Sequence, residues 1–311
     1  MTGTGKWTVL AAFAIIYIVW GSTYFGILVA LESIPPFLMS AFRFFVAGTL
    51  LLAWCLVNKQ PLPSWSSVAK NAAPGILLLF GGTASVAWSE QYLPSSLAAI
   101  IVTALPFWFV LLDKKQWSFY FSNKVIIAGL LVGFVGVIML VSFRHPAHKE
   151  SVTTGQQAAG IVAVLVGGIS WAMGSLYSKY KPAPDSLLMN AGQQLLIASV
   201  FTMVVAFFSG EVKTFSFSRV TFNAWAALIY LAIVSSIIAY LSYLYLLKVR
   251  PAALVSTYVY VNPVIALLLG SVFVGEKITL PQVIALFIIL GGVLLVNLPK
   301  YKAALFSKPS R

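Results

Sequence analysis

The sequence predicts an all-α polytopic membrane protein whose ten transmembrane helices form two inverted five-helix repeats, with both termini cytoplasmic. Three observations predict it: an extreme apolar composition, ten apolar runs of membrane-spanning length, and matching features in the two halves. Of 311 residues, 60% are hydrophobic and only 9% are charged, against about 25% charged in an ordinary soluble domain. A water-soluble globule cannot hide that much apolar surface. The single cysteine, Cys55, lies inside an apolar run, so no intramolecular disulfide can form and the residue reads as a small buried hydrophobe.

The net charge of +13 does not point to nucleic acid, because that function needs basic residues gathered on one soluble face. Here the bases stand one to three at a time between apolar runs, a pattern that sets topology. Lys6 precedes a long apolar stretch with no small-residue cleavage site after a short apolar core, so the N-terminus reads as a retained first span and not as a signal peptide.

Crossing about 30 Å of hydrocarbon takes about 20 helical residues. Ten apolar runs of that size, bounded by charge, proline or polar clusters, fall near 7–29, 35–57, 69–89, 94–112, 124–142, 157–179, 185–209, 222–247, 251–273 and 279–298. Short loops on the cytoplasmic side carry the excess of Lys and Arg. Fourteen cations fall on one side: Lys6, Lys59, Lys70, Lys114, Lys115, Lys124, Lys179, Lys181, Lys248, Arg250, Lys300, Lys302, Lys308 and Arg311. The opposite loops hold five: Arg144, Lys149, Lys213, Arg219 and Lys277; Arg43 is left inside a span. Both ends therefore read as cytoplasmic, as an even number of spans requires.

Internal symmetry says more than any single motif. Leu38-Met39-Ser40-Ala41-Phe42-Arg43 in the second span lines up with Leu188-Met189-Asn190-Ala191-Gly192-Gln193 in the seventh. Trp20 answers Trp171. Pro94 and Pro106 answer Pro251 and Pro263, each pair twelve apart, and Gly136-Val137-Ile138 answers Gly292-Val293-Leu294. Each half holds an odd number of spans, so the second must enter the bilayer in the opposite sense.

These residues also resemble a known family. Trp20-Gly-Ser-Thr-Tyr-Phe-Gly26, Pro35-Pro36 and Arg43-Phe-Phe-Val-Ala47 look like the opening of EamA-type permeases of the drug/metabolite transporter superfamily. Tyr258-Val-Tyr-Val-Asn-Pro263, Gly275-Glu276 and Gly291-Gly292-Val293 resemble the second EamA repeat. The resemblance covers roughly residues 9–141 and 158–297 and is poorly specific for substrate. It implies export or exchange of small metabolites such as amino acids, and it places Arg43 on the family's arginine of the second helix.

The residues with chemistry to offer are few. Proline inside a helix frees the carbonyl four residues back, and Pro106 and Pro263 lie about 18 Å into their spans, near the bilayer centre. Non-helical backbone at that depth survives only where protein buries it or a wet cavity receives it. The fourth and ninth spans are thus expected to be broken around a central site, with packing kinks as the alternative. Thr103, Tyr258 and Asn262 bring hydroxyl and amide groups to that site; Tyr258 and Asn262, four apart, share a helix face, while Tyr260 faces lipid or a neighbour. Trp20 and Trp171 lie too deep to be interfacial anchors, so they wall the cavity or fill an interhelical gap. Trp88, Tyr240 and Tyr243 are further aromatic candidates.

Arg43, about 12 Å into its span, is costly in hydrocarbon without a carboxylate, carbonyls or water. Glu90 is the nearby acid in an apolar stretch. The pair suits a structural clamp, a proton-coupling element or a hook for a substrate carboxylate. Glu276 reads as an architectural loop acid, and Gly129, Gly133 and Gly136 as a close-packing face ahead of a dimer face, leaving a monomer or a weak dimer.

Enzyme signatures are missing. His145 and His148 stand in a loop with no acid or cysteine at metal-ligand spacing, and no Gly-Lys-Ser/Thr phosphate loop is present. No cofactor is expected, and uphill transport must draw on an ion gradient or on exchange. A secondary carrier in the lipid bilayer accounts for these features together; a membrane enzyme or a channel is the alternative.

Overall fold

The computed structural model of the chain describes residues 3–93, 98, 101–142, 152–274 and 279–306. Among these residues the regular structure is helical throughout, without a strand. The principal helices are α1 (Gly3–Leu31), α2 (Pro36–Val57), α3 (Trp65–Ser89), α4 (Leu105–Leu112), α5 (Lys124–Ser142), α6 (Thr154–Tyr180), α7 (Leu187–Phe208), α8 (Phe222–Val249), α9 (Tyr258–Val274) and α10 (Leu280–Phe306). Each falls on one of the ten apolar runs. Six of them, α1, α2, α3, α6, α7 and α8, are continuous and apolar over at least 18 residues, enough to cross a membrane. A seventh crossing is available where Lys114–Ser122 meets Lys124–Leu140 at a bend of 92°. Pro94, His145, His148, Glu276 and Lys277 lie outside the described residues.

Local chemistry sets the helix starts. Ser64, Ser186 and Thr221 accept from the backbone N–H groups of Ser67, Met189 and Ala224, and Thr153 with Gln156 closes a reciprocal capping box. α2 opens on Pro36, whose missing N–H belongs to the orphan donors of the first turn. Two of the remaining orphans, Leu38 N–H at 2.9 Å and Phe37 N–H at 3.3 Å, donate to the Glu211 carboxylate from the short helix Glu211–Thr214. The connection between α7 and α8 is thereby tied to the first half of the chain.

The fourth and ninth apolar runs are both interrupted, though not at the paired prolines. In the fourth, a turn at Thr103–Ala104 precedes α4, and Pro106 sits in the first turn of the new helix, where its ring is tolerated. In the ninth, the turn is at Ser256–Thr257, between a short helix, Ala252–Val255, and α9; Pro263 lies inside α9, which continues through it. Pro263 is therefore not a break.

The main packing pairs are α5 with α10, α2 with α7, α3 with α6, α1 with α8, α3 with α7, α1 with α9, α2 with α8 and α4 with α6. Exchanging the first five helices for the last five leaves this set unchanged. The first two pairs join equivalent helices of the two halves. α5 and α10 approach to backbone contact: a methyl group on Gly292 would stand 2.6 Å from Gly133 Cα. Gly129 and Gly136 meet Val296 and Ile289 of the same α10, so the small-residue face of α5 is spent on packing within the chain.

Gly292→Ala is expected to lower the thermal midpoint of the detergent-solubilised protein, at a cost of about 1–3 kcal/mol for overpacking. Gly155→Ala, where nothing lies within 4 Å, should leave it in place. An unshifted Gly292→Ala would show that α5 and α10 separate freely.

Candidate functional site

Helical turns widen at two equivalent places, Gly75–Ala84 in α3 and Leu231–Ala239 in α8, where the backbone is π-helical. Such turns push side chains out of the usual register and are frequent at functional sites. In α3 the widening follows Pro74, which withdraws a donor from the ladder; nothing in the sequence of α8 accounts for its own. Both stretches face one cavity. Leu79, Gly82 and Thr83 line it from α3, and Ser235 and Ser236 from α8.

The cavity encloses an empty volume of about 810 Å³, its mouth included, and draws on both halves of the chain. α1 contributes Trp20, Thr23, Tyr24 and Ile27; α2 contributes Arg43; α6 contributes Trp171; α8 adds Tyr240; α9 contributes Tyr258 and Asn262. Four rings gather on one side of it. Trp20 stands edge-on to Tyr258 at 4.6 Å and to Trp171 at 5.5 Å, and lies 5.1 Å from Tyr243. Trp171 and Tyr243 are 5.3 Å apart, with the indole N–H donating to the Tyr243 hydroxyl at 2.8 Å. That hydroxyl also shares a hydrogen bond with Ser175 at 2.6 Å.

These rings lie toward the ends of α6 and α8 and the start of α9, the end of the bundle that collects Lys59, Lys70, Lys114, Lys115, Lys124, Lys179, Lys181, Lys248 and Arg250. Polar clasps tie that end. Lys179 donates to the carbonyls of Leu247, at 2.7 Å, and Arg250. The Asp113 carboxylate accepts from Tyr180 at 2.5 Å and Tyr120 at 3.0 Å. A buried amide chain runs from Asp185 through Gln193 and Asn71 to Gln194, which accepts from Tyr240 on the cavity wall at 2.5 Å.

Arg43 is 3% exposed. Its Nε donates to Ser236 at 3.0 Å and its Nη2 to Ser235 at 3.1 Å; Nη1 has no hydrogen-bond partner among the described residues. Ser235 also accepts from Thr23. Asn262, likewise 3% exposed, hydrogen-bonds Tyr24, yet its carbonyl Oδ1 has no partner among the described residues. Tyr24 in turn interacts electrostatically with buried Glu90, which caps the end of α3.

Residues 6–142 and 158–298 each match the EamA-like transporter family. The chain belongs to the EamA-like transporter family. It is 36% identical over 292 residues to the uncharacterized inner membrane transporter YedA of Escherichia coli (strain K12), covering 94% of this chain and 90% of YedA. It is 27% identical over 293 residues to the uncharacterized transporter YvbV of Bacillus subtilis (strain 168), covering 91% of this chain and 90% of that one. A solved crystal structure aligns with a TM-score of 0.74 at 19% identity, covering 94% of this chain and 98% of that one, which shows a shared fold.

In this EamA-like transporter the cavity brings together Trp20, Trp171, Tyr258, Asn262 and Arg43. Thr103 is buried in the turn before α4 and is not among the described lining residues; Pro106 and Pro263 are not lining residues either. The hydrogen bonds of Arg43 run to α8 serines. Ser235 and Ser236 went unnoticed in the sequence, since two serines in an Ile- and Ala-rich run carry no motif. Tyr24 and Thr23 were legible only as part of a family motif. Tyr260 turns to a neighbour, lying across Gly133 and donating to the Leu130 carbonyl at 3.1 Å. Trp88 packs on Tyr92.

Tyr243→Phe keeps the ring and removes the hydroxyl that takes the Trp171 N–H, leaving a buried donor unpaired. It should destabilise by about 1–3 kcal/mol, read as a lower thermal midpoint. Tyr245→Phe, at a half-buried position, serves as the control; equal midpoints for both variants would remove this hydrogen bond from the account.

Proposed function

We propose that the chain is a secondary transporter that exports or exchanges small metabolites such as amino acids, by alternating access around the central cavity. The observation that carries this reading is the cavity itself, which takes its walls from both halves of the chain and has the packed rings of Trp20, Trp171 and Tyr258 in its wall. A site at the interface of two repeats is where alternating access needs one, since rocking one half on the other uncovers it to each side in turn. The names of YedA and YvbV as transporters support the class.

The architecture that goes with it is ten spans in two inverted five-helix repeats, residues 9–141 and 158–297, both termini cytoplasmic. Support comes from the packing pairs, which survive exchange of the halves, from the two equivalent π-helical stretches, and from the crowding of lysines at one end of the bundle. That end is then the cytoplasmic one, and the ring cluster closes the cavity toward the cytoplasm. The protein is multi-pass in the inner membrane, its partners being lipid and a small solute. Glu90, buried and linked to the cavity through Tyr24, is the group on which a coupling proton would ride; Arg43 clamps α2 to α8.

Saturable counterflow in proteoliposomes tests the carrier against a channel. Tyr258→Ala and Asn262→Ala should cut the rate at least tenfold while expression persists, and unchanged kinetics in both would take α9 out of the site. Glu90→Gln should abolish gradient-driven transport and preserve substrate exchange, which needs no net proton movement; loss of both would make Glu90 structural. Reporters fused at Lys115 and at Lys213 should fall on the cytoplasmic and the outer side respectively, and Lys115 outside would overturn the topology.

A further inference from the structure

The two unpartnered polar atoms in the cavity wall are opposite in kind. Arg43 Nη1 is a charged donor, Asn262 Oδ1 is a neutral acceptor, and both belong to side chains that are 3% exposed and line the same cavity. A buried polar atom left without a partner costs stability unless something arrives to satisfy it. The third partner of the guanidinium must be an acceptor, and the best acceptor for it is an anionic oxygen. Among the described lining residues Arg43 is the only charged one, so the wall itself presents one cation, with the Glu90 carboxylate set behind Tyr24. Trp20, Trp171, Tyr258, Leu79, Val86 and Leu105 supply wall suited to an apolar body.

Resting on the transporter reading above, we propose that the cavity selects an organic monocarboxylate with an apolar body: the carboxylate takes Arg43 Nη1, an O–H or N–H donor on the same molecule takes Asn262 Oδ1, and the body lies against the rings. Ser235 and Ser236 are the positioning residues. They hold Nε and Nη2 of the guanidinium and leave Nη1 directed at the ligand. A lipophilic cation meets only repulsion from Arg43 and is rejected. The equivalent position in the other half is Gln193, which is spent on Asp185 and Asn71, so the cavity has one anion hook.

The test uses the full-length purified protein and four ligands on one aromatic body: 3-phenyllactate (carboxylate and hydroxyl), 3-phenylpropionate (carboxylate alone), 3-phenylpropionamide (neutral) and phenethylamine (cation). Thermal shift against concentration gives apparent Kd. Phenyllactate should bind tightest, phenylpropionate several-fold more weakly, the amide at least about tenfold more weakly than its acid, and the amine not at all. Arg43→Gln should erase the preference for acid over amide, and Asn262→Leu the preference for phenyllactate over phenylpropionate. Gln at position 43 can still bond the α8 serines, and a thermal midpoint near that of the wild type confirms the fold; Ser235→Ala supplies a second, milder variant that should weaken the acid preference without removing it. Equal binding of acid and amide, an acid preference that survives Arg43→Gln, or no shift by any of the four overturns the proposal. Counterflow separates it from the broader reading: saturable exchange of the amide or amine that is lost in Tyr258→Ala keeps the transporter and sinks the carboxylate site. Carboxylate binding lost in Arg43→Gln, without any counterflow, does the reverse.

Discussion

A charge in the middle of an apolar bundle has to be held by the protein, and the constraint that organises this molecule is how Arg43 is held. Burying a guanidinium far from water is tolerated only when its donors are occupied. Two of its nitrogens are occupied by Ser235 and Ser236 of α8, and those serines reach it from a stretch of widened helix. The widened turns, the contact between α2 and α8, and the wall of the cavity are thus one arrangement seen from three sides. Remove the serines, and two of the guanidinium nitrogens lose their acceptors.

The same rule explains the ends of the bundle. Backbone carbonyls left over where α8 stops, at Leu247 and Arg250, are taken up by the Lys179 ammonium. The carboxylate at the end of α4, Asp113, is taken up by two tyrosine hydroxyls from separate elements. At the other end Glu211 receives the exposed N–H groups that open α2. Each of these contacts joins segments distant in sequence, and those at the lysine-rich end lie on the far side of the ring cluster from Arg43. The clasps here are hydrogen bonds and ring edges that individually contribute little. By contrast, α5 and α10 meet backbone to backbone through glycine, a contact that does not slide cheaply.

Much of this was legible in the sequence. Hydropathy and charge spacing gave the all-helical class and located the ten apolar runs, because both are sums over local residues and need no knowledge of neighbours. Comparing the halves set Trp20 against Trp171 and Arg43 against Gln193 as counterparts; that the two tryptophan rings touch, at 5.5 Å, is a fact of the packing. Burial of Arg43, Tyr258 and Asn262 followed from their place within apolar runs.

What the tertiary structure alone decided is which side chains face one another. Thr103 and Tyr258 looked equivalent as polar groups near breaks, yet one is buried away from the cavity and the other walls it, since that depends on the rotation of each helix about its axis. Arg43 needed a partner, but hydroxyls from a distant helix can occupy guanidinium N–H groups where an acid was expected, and only the packing of α2 on α8 chooses. The breaks came at Thr103–Ala104 and Ser256–Thr257 and not at equivalent prolines, because a proline in a first turn loses nothing and one inside α9 is carried by its neighbours. Composition and period are written along the chain; the cavity exists only where seven helices turn particular faces inward.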